Sequence, residues 1–326
     1  MRILVTGGLG FIGSNFILNV LKNDEYSIIN VDAGLVGSNP DNLSQLNSNR
    51  YRFVKGNITD YKLMEKLISN SDVVINFAAE SFVDRSISNA TPFLQSNILG
   101  VFTILNIIRK QKKKFIHIST DEVFGSLKTE NADEYFRFNP SSPYAATKAS
   151  AELLINSYVI TYDCDCIITR CTNNYGPRQY PEKLIPKTIL LANQNKKIPV
   201  YGKGKNIRDW IFVDDHCNAI IKILTNGKKG ESYNISANNE IDNITIVTKI
   251  LSIMNKSKDL IVFVEDRPGH DFRYSLNSSK IRNELGWSNK TSFDLGLECT
   301  ISWYMDRLDH WKNIPEITLN STPWKN

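Results

Sequence analysis

The chain has few cysteines, and their number is odd. Cys164, Cys166, Cys171, Cys217 and Cys299 are five residues in a chain of 326, which argues against a secreted disulfide scaffold. Three of them fall in the apolar, strand-like stretch CDCIITRC, where packing is the expected role. No histidine stands near them, so a metal site lacks ligands at suitable spacing. No apolar run reaches the length of a membrane span. An opening strand that begins at Arg2 leaves no room for a signal peptide, so a cytoplasmic protein is expected and sequons such as Asn57-Ile58-Thr59 are incidental. A strong charge of one sign is also missing. The net charge is +5, but the basic residues are scattered, and the one compact run, Lys112-Lys113-Lys114, reads as a solvated helix end. Nucleic acid and membrane are therefore not expected partners. Internal repeats and low-complexity linkers are absent as well.

What is present is ordinary globular composition, 41% hydrophobic and 22% charged, enough to bury a large core. Short apolar runs (RILVTG, YSIINVD, RFVKGN, DVVINFAA, KFIHIST, CDCIITRC) alternate with helix-like segments at roughly 13–22, 60–69, 93–111 and 143–162. Strands without polar alternation are buried on both faces, as in a parallel sheet covered by helices. The alternation predicts an α/β fold with a doubly wound parallel sheet. After about residue 173 the pattern loosens. Residues 1–172 are expected to form one domain and 173–326 a smaller mixed one, with 207–229 packing back on the first.

Between the first strand and the first helix, Gly7, Gly10 and Gly13 have the spacing GxxGxxG, a variant of the dinucleotide turn GxGxxG. Such a turn aims free helix N–H groups at a pyrophosphate. Asp32 ends the second strand, where a carboxylate accepts ribose hydroxyls and repels a 2′-phosphate, so NAD is favoured over NADP. Further on, Ser142 and Pro143 start a helix on which Tyr144 and Lys148 share a face. A phenol serves as a base near neutral pH only if a cation lowers its pKa. The Lys148 ammonium, or the charge of an oxidised nicotinamide, is expected to do so. Between turn and helix, the strand KFIHIST ends in Ser119-Thr120 and then delivers two adjacent acids, Asp121 and Glu122. Alone, that pair would suit a solvated helix N-terminus.

With these residues in place, the sequence resembles the nucleoside-diphosphate-glucose 4,6-dehydratases of the extended short-chain dehydrogenase/reductase superfamily. The resemblance covers nearly the whole chain. It rests on TGGLGFIGS, AAESFVDRS, STDEVFG, SPYAATKASAE, RCTNNYGPRQYPEKLIP, GKGKNIRDWIFVDDH and EDRPGHDFRY, in that order. It implies a Rossmann domain, a smaller substrate domain and bound NAD. It also implies oxidation at C4 of the glucose unit, loss of water across C5 and C6 and return of the hydride to C6, for deoxysugar (rhamnose-type) biosynthesis. By this resemblance Tyr144 takes the C4 hydroxyl proton, Thr120 hydrogen-bonds that oxygen and Lys148 holds the nicotinamide ribose. Glu122 is the C5 base and Asp121 the acid for the C6 hydroxyl. Phe11 and Ile12 would line the phosphate turn, Asn57 and Ile58 the adenine, Ala78, Ala79 and Ser81 the central cofactor, and Asn174 its nicotinamide end. The substrate would meet Thr120, Asn173, Lys183, Leu184, Pro199, Tyr201, Arg208, Asn243, Arg267 and His270, with the two arginines clamping the diphosphate. No metal is implied.

Three departures from the family pattern stand out. Asn57 replaces the Asp of GDI. Asn76 and Phe82 replace the two histidines of HLAAESHVDRS, and Phe82 removes a polar contact near the expected sugar. The segment 230–265 is shortened where the nucleotide base is held, so thymine and uracil both remain open. A nucleotide-sugar 4-epimerase or decarboxylase shares the Gly turn, Tyr and Lys, but needs no acid–base pair for loss of the 6-hydroxyl. A non-catalytic NAD-sensing scaffold commonly loses Tyr or Lys, and both are here. Related enzymes dimerise through the helices near 93–111 and 143–162 in a four-helix bundle, so a homodimer is expected.

Overall fold

A computed structural model describes residues 1–311, 314–319 and 322–325; the remaining positions of the expected 173–326 segment lie outside it. In chain order the elements are β1 (Arg2–Thr6), α1 (Phe11–Val20), β2 (Ser27–Asp32), β3 (Tyr51–Lys55), α2 (Tyr61–Ser69), β4 (Val73–Asn76), α3 (Val83–Ser88), α4 (Thr91–Phe93), α5 (Val101–Gln111), β5 (Lys114–Thr120) and α6 (Pro143–Tyr162). There follow β6 (Cys166–Cys171), β7 (Asn173–Tyr175), α7 (Leu184–Asn193), β8 (Ile198–Tyr201), β9 (Ile207–Phe212), α8 (Val213–Asn226), β10 (Ser232–Ile235), β11 (Glu240–Asp242), α9 (Asn243–Ile253), β12 (Ile261–Val264), α10 (Ser279–Leu285) and α11 (Phe293–Met305).

The main sheet has seven strands in the order β10-β6-β5-β4-β1-β2-β3, all parallel. Its strand order reverses between β1 and β4, and in open α/β sheets ligands bind at the carboxyl ends of the strands there. Both faces are covered. Ile3, Val5, Ile28 and Ile75 pack with Phe16 and Ile17 of α1 and Ile220 and Ile223 of α8. Leu4, Val74, Phe115 and Ile168 pack with Met64 of α2, Ile104 and Leu105 of α5 and Ile155 of α6. This two-sided burial explains why the strands read as unbroken apolar runs.

The second half builds a small three-stranded sheet, β11-β9-β7, and a pair, β12-β8. Tyr175, Trp210, Ile246 and Leu297 fill a further core there. The segment after β9 returns to the main sheet: α8 lies against α1, and β10 adds to the edge beside β6. That edge strand lies just past residue 229, where sequence alone ended the returning segment.

Cys164, Cys166, Cys171 and Cys217 are buried free thiols and Cys299 is exposed. One sequence expectation needs correcting. Thr91–Gln111 forms one continuous helix of 21 residues, α4 and α5 joined through a π-helical stretch at Leu94–Gly100, with mean hydropathy 1.4. By length and composition alone it could cross a membrane. The sequence reading missed this because Asn97, Thr103 and Asn106 interrupt the apolar run. Here 44% of its apolar window is buried inside the structure, and Asn97 bonds the backbone of Glu80 and the hydroxyl of Thr147.

Candidate active site

Two adjoining cavities of about 280 and 170 Å³ open at the carboxyl ends of the main strands. The first is lined by Gly7, Gly10, Phe11, Ile12, Gly13, Asp32, Asn57, Ile58, Ala78, Ala79, Ser81, Thr120, Asp121, Tyr144 and Lys148. The second is lined by Leu184, Pro199, Tyr201, Arg208, Asn243, Arg267 and His270. Glu122, Asn173, Asn174 and Lys183 line both, and Phe82 lies between them as well. The structure thus brings the candidate catalytic, cofactor and substrate residues named from the sequence to one continuous hollow.

The glycine turn is shaped for close approach. Gly7 has φ +70, and a Cβ there would lie 2.6 Å from the backbone nitrogen of Ala78. A Cβ on Gly13 would lie 2.5 Å from the Gly7 carbonyl oxygen. No side chain caps α1 among the described residues, and its first turn carries no acid. Its leading N–H groups therefore face the cavity with the positive end of the helix dipole, a fit for a pyrophosphate. Asp32 accepts from Leu9 N, Gly34 N and Ser38 Oγ at 2.8–3.0 Å, which leaves acceptor capacity for a ribose hydroxyl. Asn57 Oδ1 accepts from the Thr59 amide and hydroxyl; the end of its amide that can face an adenine edge is therefore the donor, where an Asp would present an acceptor. These features suit NAD.

The acid pair sits where β5 runs into a 3₁₀ turn, Asp121–Phe124, capped by Thr120 Oγ1 accepting from Glu122 N. Asp121 is 4% exposed. Its Oδ1 accepts from the Thr120 hydroxyl, and its Oδ2 has no partner among the described residues. Burial, reinforced by the neighbouring Glu122 charge, holds the Asp121 carboxyl well above its ordinary value. Burial also raises Glu122, but Arg267, Lys183 and Arg208 pull it back. One carboxyl is thus held as the acid beside another that cations keep closer to its carboxylate form.

Tyr144 and Lys148 occupy successive turns of α6, whose start is fixed by Ser142 Oγ accepting from Ala145 N and by Pro143 in the first turn. The expected lowering of the Tyr144 pKa is not found. Burial, then the Glu122 charge, holds this phenol well above 10.0, with only the Thr120 hydroxyl opposing. The reason is geometric: Lys148 Nζ donates to the Ile118 carbonyl at 2.6 Å and lies 3.2 Å from His117 Nε2, so its amine is engaged by β5.

In the second cavity Arg208 is anchored by the carbonyls of Ile207, Asp271 and Phe272 and lies over the Tyr274 ring. Arg267 meets Asp84 at 3.2 Å, and its Nε is buried without a partner among the described residues. Tyr201 donates to the other Asp84 oxygen. His270 meets Asp266, yet burial beside Arg267 and Arg208 pushes it down to about 4. Lys183 donates to Ser81 O, with its amine over the Phe82 ring. Asn174 is held at both ends, its Nδ2 donating to Thr172 O and its Oδ1 accepting from His216 Nδ1. The sequence reading missed Asp84, Glu182 and Tyr274. Asp84 and Tyr274 stand inside quoted motifs but gave no chemical signal, and Glu182 shows its use only through its bidentate pair with Arg85.

The GDP-mannose 4,6 dehydratase family model matches residues 4–300. The chain belongs to this family. It is 42% identical to dTDP-glucose 4,6-dehydratase of Mycolicibacterium smegmatis, over 97% of this chain and 97% of that one. It is also 45% identical to the low-salt glycan biosynthesis protein Agl12 of Haloferax volcanii, over 94% of this chain and 99% of that one. The crystal structure of dTDP-glucose 4,6-dehydratase from Bacillus anthracis in complex with NAD superposes with a TM-score of 0.90 at 44% identity, covering 96% of this chain and 99% of that one. UDP-glucuronic acid 4-epimerase from Bacillus cereus shares the fold, with a TM-score of 0.89 over 94% of this chain and 99% of that one, at 29% identity.

Proposed function

We propose that this chain is an NAD-dependent dTDP-glucose 4,6-dehydratase that forms the 4-keto-6-deoxy sugar nucleotide for deoxysugar biosynthesis of the rhamnose type. The observation that carries the reading is the buried pair Asp121–Glu122, one raised by burial and its neighbour's charge and the other compensated by cations, in the same hollow as Tyr144 and the glycine turn. An epimerase has no use for that pair. NAD held by the α1 N-terminus and Asp32 would take and return the hydride, and its oxidised ring would bring Tyr144 the positive charge that its burial calls for. Thr120 and Tyr144 orient the C4 hydroxyl, and Tyr144 takes its proton. Lys148 holds the ribose. Once C4 is a ketone the C5 proton becomes acidic, and Glu122 removes it while Asp121 protonates the departing C6 hydroxyl. Arg208 and Arg267 clamp the diphosphate, with Arg267 Nε free for it, and Lys183, Tyr201, Asn243 and His270 surround the sugar nucleotide.

In this reading residues 1–172, with 207–229, carry the cofactor, and the rest of 173–326 carries the substrate. The protein works in the cytoplasm as a homodimer. Exposed Leu99 and Phe102 of the Thr91–Gln111 helix and Leu153 and Ile160 of α6 would close a four-helix bundle, which light scattering tests. The deciding experiment is turnover with NAD of dTDP-glucose beside UDP-glucose. A 4-keto-6-deoxy product from dTDP-glucose supports the proposal, and a galactose epimer from either substrate refutes it.

A further inference from the structure

The register of the main sheet places Thr6 beside Asn76 and Asn76 beside His117. In-register neighbours on parallel strands share a face. Three polar side chains, one each from β1, β4 and β5, therefore form a row on the face that α6 covers. The row is dry: Thr6 is 0%, Asn76 1% and His117 1% exposed, and it ends on Lys148 at 2%. Its contacts are continuous. Thr6 Oγ1 to Asn76 Oδ1 is 2.6 Å, Asn76 Nδ2 to His117 Nδ1 is 3.0 Å, and His117 Nε2 to Lys148 Nζ is 3.2 Å. The Ala78 amide, at the glycine turn, also donates to Thr6 Oγ1.

Burial and the facing Lys148 charge keep the imidazole neutral, so it has one N–H and one lone pair. If Lys148 is an ammonium, Nε2 must accept. The N–H then sits on Nδ1, and Asn76 must turn its Oδ1 toward it and its Nδ2 toward Thr6. If Lys148 is a neutral amine, its lone pair can accept from Nε2–H. Nδ1 then accepts from the Asn76 Nδ2, and the Thr6 hydroxyl donates to Asn76 Oδ1. The second arrangement matches the amide orientation in the structure. The ammonium can only donate, so it admits the first arrangement alone; the amine, with a lone pair as well as N–H groups, also admits the second, the one whose amide orientation the structure shows.

We propose that His117, Asn76 and Thr6 are positioning residues for Lys148, and that they couple its charge to the imidazole tautomer: N–H on Nδ1 with the ammonium, on Nε2 with the amine. Asparagine suits the middle place because turning its amide over exchanges donor for acceptor without introducing charge. Histidine, which the resembled family carries there, has no such freedom without moving its own proton. Both states of Lys148 lie within reach, because burial pushes the amine down to about 8. The charged and titratable groups around it are His117 of β5, Cys171 of β6, and Tyr144 and Glu152 of its own helix. Glu152 is committed to Arg170 at 2.7 Å. The consequence for turnover rests on the dehydratase reading above; the coupling itself does not.

Two experiments test it. The first is ¹⁵N NMR of the histidine rings in the NAD-loaded protein between about pH 6 and about pH 10. The His117 signals among the chain's four histidines are assigned by His117→Gln. The proposal expects a neutral ring throughout, with its N–H moving from Nδ1 to Nε2 as the pH passes about 8. A fixed tautomer, or an imidazolium at any pH in that range, overturns it. The second is Asn76→Asp, whose carboxylate can only accept and so locks the ammonium arrangement. The alkaline limb of its pH–rate profile should move up by about one pH unit or more, and an unmoved limb overturns the coupling. Should Asn76→Asp fail to fold, the wild-type titration still decides. A wild-type protein that leaves dTDP-glucose untouched refutes the dehydratase reading and leaves the tautomer result standing.

Discussion

Replacing Asp121 by asparagine separates the two halves of the proposed chemistry. Asparagine keeps the volume of the side chain and an Oδ1 acceptor for Thr120. Burial and the Glu122 charge favour the neutral form of Asp121, and in that form the change removes a proton donor without removing a charge. Loss of a positioned general acid slows its step by about 10²–10⁴-fold, or about 3–5 kcal/mol at 1.36 kcal/mol per decade. The slowing should fall on water loss alone. Stopped-flow mixing of NAD-loaded Asp121→Asn with dTDP-glucose should show reduced nicotinamide forming at the wild-type rate and then accumulating, with little 6-deoxy product. The stability change has a definite sign. A carboxyl raised in the fold binds more protons folded than unfolded between its ordinary value of 3.8 and its folded value. Wild-type stability therefore falls as pH rises through that window, and the asparagine variant escapes this. Its melting temperature should exceed that of the wild type near neutral pH, and the two should converge below about pH 4. Dehydration within tenfold of wild type, or loss of the reduced-nicotinamide signal together with product, would refute the reasoning.

Three further outcomes are expected. Glu122→Gln should also leave hydride transfer intact and slow dehydration by about 10²–10⁴-fold, but, unlike Asp121→Asn, it should abolish solvent-deuterium exchange at C5; retained exchange places the base elsewhere. Gly13→Ala puts a methyl 2.5 Å from the Gly7 carbonyl oxygen and 2.9 Å from the Gly8 Cα, both backbone atoms. Overpacking of this kind costs about 1–3 kcal/mol, so calorimetry should find NAD bound about 5–150-fold more weakly. Arg267→Ala removes a charge-assisted contact worth about 1.5–3 kcal/mol, so KM for dTDP-glucose should rise about 10–100-fold with kcat held within a few-fold; an unchanged KM takes Arg267 out of the diphosphate clamp.

The inner strands of the main sheet, β2 among them, were legible because each is buried on both faces and carries an apolar run bounded by polar residues, as RILVT and KFIHIST are. The helix at Pro143–Tyr162 was legible because Ser142 and Pro143 mark its start. The helix Val83–Ser88 was not. It has no apolar period, and what holds it comes from afar: Arg85 pairs with Glu182 and Ser86 Oγ accepts from Tyr144 N, at separations of 97 and 58 residues. Strand β10 is four residues long, and its place at the sheet edge depends on pairing with Cys166–Cys171. The polar row was half legible, since Thr6, Asn76 and His117 each end or interrupt an apolar run, but only the register shows that they are neighbours.

The direction in which Tyr144 and the acid pair are tuned could not be read from spacing at all. Tyr-x-x-x-Lys places a cation one turn from a phenol, and that spacing predicts an acidified phenol. In the fold the amine turns to the Ile118 carbonyl, and burial beside Glu122 decides instead. The same holds for Asp121 and Glu122, which the sequence presents as equals. Their difference is imposed by Lys183, Arg208 and Arg267, which stand 61 or more positions later. All three pull on Glu122, while of the three only Arg208 joins the Thr120 hydroxyl in opposing burial and the Glu122 charge on Asp121. The half of the chain that would bind the sugar nucleotide therefore assigns the acid and the base in the half that would bind the cofactor. It follows that neutralising Arg208 or Arg267 should raise the pKa of Glu122 and shift the acid limb of dehydration upward as well as weakening substrate binding. A pure binding role would leave that limb of kcat in place.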